Sequence, residues 1–218
     1  MNQLNFVHRY VPAEGGNPRV LLLLHGTGGN EDDMLPLGRE FDRTAALLSP
    51  RGNVSENGMP RFFRRFAEGV FDEEDVIRRA HELADFVTAA ASTYSFHPAD
   101  VTAIGYSNGA NISAAMMLLR PEVLSRAMML RAMVPLSHAA GTDLTGKRVL
   151  ISSGASDPIV PVENAQRLAA MLEQRGADVE LAIHQASHGL VPADLALVKR
   201  WLSENKQTTR VHRLSPEP

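Results

Sequence analysis

The segment Gly105-Tyr106-Ser107-Asn108-Gly109 holds the residue types needed for covalent acyl chemistry. It follows the apolar run Val101–Ile104 and opens a helical pattern, which is the strand–turn–helix setting of a G-x-S-x-G nucleophile elbow. Such a turn lifts the serine above the sheet and crowds the backbone. The residues two before and two after the serine must therefore be small, and Gly105 and Gly109 meet that demand. The helix that follows directs its N-terminal N–H groups at the same point, which favours developing negative charge.

A serine hydroxyl is a weak nucleophile and needs a histidine base, which in turn needs a carboxylate to orient it. With this elbow the chain order is serine, acid, histidine. Asp157 lies in Gly154-Ala155-Ser156-Asp157-Pro158, just past the apolar run Val149–Ser152. His188 lies in Ser187-His188-Gly189, past the run Val179–Ile183. Both fall at carboxyl ends of expected parallel strands, where such folds gather their sites. The rivals fit less well. His184 sits at a strand end, His138 in an earlier connection and His212 in the polar tail. Asp143 and Asp178 precede their strands, and Asp194 follows the histidine.

Acyl transfer also needs preorganised donors for an oxyanion. One is expected from the N–H after the nucleophile, Asn108. The other is expected from His25-Gly26-Thr27-Gly28-Gly29-Asn30, with Thr27 first and Gly28 in reserve. His25 is expected to brace that loop. Two look-alikes fail on context. Gly26–Glu31 lacks the third glycine of a dinucleotide loop. Gly141–Arg148 has arginine where a phosphate loop needs serine or threonine, and a strand follows it rather than a helix.

These residues need a sheet to hold them. Apolar runs at Val20–Leu24, Ala45–Ser49, Val101–Ile104, Ala127–Val134, Val149–Ser152 and Val179–Ile183 alternate with helical patterns. That alternation predicts a mostly parallel sheet with helices on both faces. Helices are expected over Asp72–Thr93, from Gly109 to near Pro121, over Val162–Arg175 and over Pro192–Asn205, with Leu4–Val11 as an antiparallel strand. In the longest helix, Glu74/Arg78 and Asp75/Arg79 have pairing spacing. The reading is one domain over 1–205 and a polar tail over 206–218, with Ser215–Pro218 expected to be mobile. The chain has 218 residues, 44% of them hydrophobic and 22% charged, with a net charge of −3 and no cysteine. Those values exclude a disulfide framework, a cysteine nucleophile and a basic nucleic-acid-binding protein. No run is long enough to span a membrane and Met1–Tyr10 lacks a signal-peptide pattern, so the expected location is cytoplasmic.

The segments Leu24–Asp33, Gly105–Gly109, Asp157–Pro161 and His188-Gly189 together resemble the phospholipase/carboxylesterase family of the α/β-hydrolase superfamily. The stretch Ser49–Asn53 to Phe62–Arg65 is similar to a bacterial subgroup, the hydroquinone-associated hydrolases. The resemblance implies an α/β-hydrolase fold without a large cap domain and a triad of Ser107, Asp157 and His188. It implies no metal, no cofactor and no membrane span, and homodimerisation is common among small members. The thioesterase branch has glutamine after the nucleophile; this chain has Asn108.

The expected activity is a serine carboxylesterase acting on small, short-acyl or aromatic esters. A lysophospholipase or acyl thioesterase with the same triad is the alternative, and a non-catalytic binding protein of the same fold a third. Residues 51–70 form a long connection at the site's edge, a frequent place for a lid. Phe62, Phe63 and Phe66 are apolar enough to line a pocket, and Arg51, Arg61, Arg64 and Arg65 outnumber Glu56 and Glu68. Phe63 and Arg64 are the expected substrate contacts, toward an aromatic or anionic ester. The competing reading packs the phenylalanines into the core and pairs the arginines with Asp72–Asp75.

Overall fold

The computed structural model describes residues 4–138 and 141–211, with side chains described as far as Glu204. In chain order the first elements are β1 (His8–Val11), β2 (Val20–Leu24), α1 (Leu35–Phe41) and β3 (Ala46–Pro50). Two small hairpins follow, β4 (Val54–Glu56) with β5 (Met59–Arg61), and β6 (Arg65–Ala67) with β7 (Val70–Phe71). Then come α2 (Glu73–Tyr94), β8 (Val101–Tyr106), α3 (Asn108–Leu119), β9 (Arg126–Leu130) and β10 (Arg148–Gly154). The chain continues through α4 (Val162–Glu173), β11 (Asp178–His184) and α5 (Pro192–Val211).

Seven strands form one sheet in the order β1-β3-β2-β8-β9-β10-β11. β1 is antiparallel to β3 and every other pairing is parallel. β2 shows why the layers form. All five residues are buried because both faces are covered. Leu22 and Leu24 pack with Leu83, Val87 and Ile112 of α2 and α3, while Leu21 and Leu23 pack with Phe41, Val198 and Trp201 of α1 and α5. The fold is the expected α/β-hydrolase arrangement, and the additions between β3 and α2 are two small hairpins rather than a cap domain. No helix of the described residues is long and apolar enough to cross a membrane.

Several boundaries move. β9 stops at Leu130 rather than at Val134, because Arg131 adopts a left-handed φ of 60° and turns the chain. α5 runs past Asn205 to Val211, so the expected tail is helical in its first part. Ser215–Pro218 lie outside the described residues. In α2, Arg78 and Arg79 both turn to Asp75 instead of forming two separate pairs.

Candidate active site

The elbow is a strained turn. Ser107 has φ 52° and ψ −114°, a conformation that costs a non-glycine residue on the order of 1–3 kcal/mol. The surroundings impose it. Ser107 N–H donates to the Leu130 carbonyl at 2.8 Å, and α3 begins at the next residue. A Cβ on Gly105 would lie 2.4 Å from the Gly109 carbonyl oxygen, and one on Gly109 would lie 2.0 Å from that of Leu24. The glycines allow β8, α3 and the end of β2 to approach this closely.

Ser107, Asp157 and His188 come together from three strand ends. His188 Nε2 lies 2.9 Å from Ser107 Oγ, and its Nδ1 lies 2.8 Å from Asp157 Oδ2. With the proton on Nδ1, the ring donates to Asp157 and accepts from the serine hydroxyl. The Asp157 carboxylate is fully buried, and its other oxygen accepts the N–H groups of Ile159 (2.8 Å) and Val160 (3.0 Å). The loops that carry Asp157 and His188 are tied together: Ala155 N–H donates to the His184 carbonyl at 2.7 Å and Ser156 N–H to that of Ala186 at 3.0 Å. The rival residues stand elsewhere. His184 has Asp194 as its nearest carboxylate, at 3.8 Å, and His138 is exposed. Asp143 caps Thr145, and Asp178 pairs with Arg148 at the opposite end of the sheet. His212 lies outside the described residues.

The glycine-rich loop after β2 lies beside the elbow, where a Cβ on Gly26 would sit 3.6 Å from Cβ of Ser107. Among the described residues the Thr27 N–H has no acceptor within the chain. Asn108 is the first residue of α3, so its N–H lacks an intrahelical partner. The reserve, Gly28, is ruled out, because its N–H already donates to the Pro60 carbonyl at 2.9 Å. His25 does brace the loop. Its Nε2 accepts from Gly52 N–H at 3.0 Å and its Nδ1 donates to the Gly26 carbonyl at 2.7 Å. Burial pushes its pKa down and keeps the ring neutral.

A family model described as Phospholipase/Carboxylesterase matches residues 10–206. The chain belongs to the phospholipase/carboxylesterase family. It is 42% identical over 196 residues to MhqD of Bacillus subtilis (strain 168), a match that covers 90% of this chain and 98% of that protein. The crystal structure of the Bacillus cereus carboxylesterase is 43% identical with a TM-score of 0.89, covering 92% of this chain and 94% of that one. The carboxylesterase from Mesorhizobium loti is 33% identical with a TM-score of 0.88, covering 93% and 97%.

In this member of the carboxylesterase family, one of the two expected substrate contacts, Phe63, is withdrawn into the core, while Arg64 is exposed. Phe63 has no exposed surface; it packs edge-on against Phe71, with the Arg61 guanidinium 5.7 Å from its ring centre. Arg64 is committed to Asp72 at 2.8 Å, and its backbone N–H donates to Asp75 at 2.7 Å. The other arginines also have carboxylate partners: Arg51 with Glu31, and Arg61 and Arg65 with Glu56. Each of these arginines thus has a carboxylate partner within the chain, and the Arg64 side chain remains 60% exposed.

The segment clamps the loops around the elbow. Pro60 holds Gly28, as above. Arg61, itself buried, donates to Thr27 Oγ1 at 2.6 Å. Phe62 N–H donates to Asn108 Oδ1 at 2.7 Å, and its ring packs on His25 at 4.7 Å. Met59 lies beside the loop after β2, with its Cγ and Sδ 3.8 Å from where a Cβ on Gly28 would stand. The sequence signal for this hairpin is Asn57-Gly58. Both residues have positive φ, 52° and 81°, as a two-residue hairpin turn of type I′ requires.

Proposed function

We propose that the chain is a serine esterase that hydrolyses small carboxylic esters through a covalent acyl-enzyme on Ser107. The observation that carries this reading is the continuous relay from Ser107 through His188 to the buried Asp157, at 2.9 and 2.8 Å. His188 Nε2 takes the hydroxyl proton as Oγ attacks the ester carbonyl carbon. The tetrahedral oxyanion is held by the N–H groups of Thr27 and Asn108. The bond to the leaving oxygen then breaks, and the imidazolium gives that oxygen its proton. In the second half His188 takes a proton from water, hydroxide attacks the acyl carbon and the acid leaves. The proton returns to Ser107. Asp157 stays ionised throughout, stabilising the imidazolium and holding its orientation.

The preferred substrates in this reading are short-acyl or aromatic esters. Support comes from the β4–β5 hairpin, which folds down onto the oxyanion loop and brings Met59 beside it. The lysophospholipase and acyl-thioesterase alternative needs a long apolar channel, whereas the additions between β3 and α2 are hairpins with strands of two or three residues. A non-catalytic binding role fits poorly with a complete set of nucleophile, base, acid and oxyanion donors. The reading puts the reaction in the cytoplasm, on a small-molecule ester, without a metal, cofactor or nucleic-acid partner. Homodimerisation belongs to the same reading.

Ser107→Ala should lower kcat on p-nitrophenyl esters by on the order of 10⁴–10⁶. It should also abolish labelling by a fluorophosphonate probe and leave the melting temperature near that of the parent. A folded variant that keeps more than a few per cent of kcat sinks the proposal. A panel of p-nitrophenyl esters of increasing acyl length tests the substrate range.

A further inference from the structure

Arg131 has no role in the chemistry above, yet it is a fully buried cation next to it. It stands immediately after β9, at the left-handed φ of 60°, in an otherwise apolar stretch. Its guanidinium makes a two-pronged ion pair with Asp194, Nη1 to Oδ1 at 2.9 Å and Nη2 to Oδ2 at 2.7 Å. Asp194 is also fully buried, and it accepts further hydrogen bonds from Ser152 Oγ and from Val191 N–H at 2.8 Å. Burial alone would raise the Asp194 pKa, but the hydrogen bonds from Arg131, Ser152 and Val191 hold it below its ordinary value.

The guanidinium also reaches β10, where Nη1 lies 3.4 Å from both the carbonyl oxygen and Oγ of Ser152, and the histidine loop. Nε donates to the Ser187 carbonyl at 3.2 Å, and Nη2 to the Gly189 carbonyl at 3.0 Å. The carbonyl between them, that of His188, accepts from Tyr106 Oη at 3.2 Å. Three successive carbonyls that bracket one imidazole are thus each claimed by a side chain from a neighbouring strand end. A planar fork of five N–H donors suits this task, because it spans the loop and the carboxylate at once.

We infer that Arg131 is a positioning residue for His188, fixing the 187–189 main chain so that the imidazole reaches both Ser107 and Asp157. Asp194 is its counter-ion, which makes a buried guanidinium tenable under the loop. The inference rests on the proposed role of His188. Displacing a catalytic group by about 1 Å can cost about 100-fold in rate, so the loop geometry is worth a buried ion pair.

Two variants separate positioning from general stability. Arg131→Lys keeps the charge beside Asp194 but lacks the fork that reaches both carbonyls. Arg131→Met combined with Asp194→Asn removes both charges together, leaving no lone buried ion. For each folded variant the readouts are kcat and KM on a p-nitrophenyl ester, and the downfield proton NMR signal of the His188 Nδ1–H bonded to Asp157. The expected result is a kcat about 10- to 100-fold lower with KM nearly unchanged, and a downfield signal that is shifted or broadened away. A folded variant with parental kcat and an unmoved downfield signal overturns the inference. So does a loss that merely tracks the folded fraction, and so does failure of both variants to fold, since the pair then serves the whole core. His188→Ala in the same assay separates the two readings. If it retains activity, the triad proposal fails; if it is dead while the Arg131 variants are silent, only the positioning role fails.

Discussion

The two sides of the site are held by different physics. The elbow and the loop after β2 are fixed largely by close approach at glycines: Gly109 against the Leu24 backbone, Gly105 against the Gly109 backbone and Gly26 against the Tyr106 ring. The histidine loop is fixed mainly by side chains, with Arg131 and Tyr106 reaching its carbonyls. Close approach at one glycine does contribute here, since a Cβ on Gly154 would lie 2.4 Å from the carbonyl oxygens of both Ala186 and Ser187. His188's own neighbour, Gly189, has no atom within 4 Å of where a Cβ would stand. A turn built by steric exclusion constrains residue type at fixed offsets and leaves a motif. A loop held by a distant ion pair leaves no local pattern.

The largest effects test whether the two sides converge on one reaction. Asp157→Asn should lower kcat by about 10⁴, because an asparagine amide favours the wrong imidazole tautomer. His188→Ala should be at least as severe, while His184→Ala should be mild. If His184→Ala proved as damaging at equal folding, the histidine side of the comparison would be misassigned.

The same distinction governs what was legible in the sequence. β2 reads as a strand because five consecutive aliphatics end at His25-Gly26. Ser107, Asp157 and His188 are readable because each follows such a run in a fixed order. β9 was overextended because Ala132, Met133 and Val134 continue an apolar run that Arg131 in fact turns. A lone arginine in that run was the available sign of a buried ion pair, but its partner Asp194 lies 63 residues on. The orientations of Phe63 and Arg64 are not legible for a related reason. Aromatic and basic composition does not say which way a side chain faces, and here one faces the core and the other faces Asp72. The Asn57-Gly58 pair marked a hairpin where a lid was expected.

A middle-sized effect separates the two kinds of support on stability alone. Gly105→Ala puts a methyl group against the rigid backbone of Gly109 and should cost about 3 kcal/mol or more. Gly189→Ala meets open space and keeps the carbonyl that Arg131 holds, so it should stay within about 0.5 kcal/mol. Urea denaturation of the two variants checks both values. Equal losses would dissolve the contrast between a sterically built elbow and a side-chain-held loop.

The smallest effect probes where the elbow side borrows a side chain. Arg61 donates to Thr27 Oγ1 at 2.6 Å, within the residue whose N–H is the proposed oxyanion donor. Thr27→Val removes that acceptor while keeping the backbone N–H and the side-chain shape. Removing an oxyanion donor outright costs about 10²–10³ in kcat, so loosening one that Gly28 and Pro60 still restrain should cost about 10-fold. Arg61→Met breaks the same contact from the other end and should give a similar loss with KM little changed. The two act through one hydrogen bond, so the double variant should be no worse than the poorer single variant. Additive losses in that double-mutant cycle would mean that Arg61 supports the site by another route, such as its carbonyl contact with Phe63 at 3.2 Å. Unchanged kcat in both single variants would mean that glycine packing with the His25 and Asn108 contacts sets this loop, and the elbow side would then need nothing from Arg61.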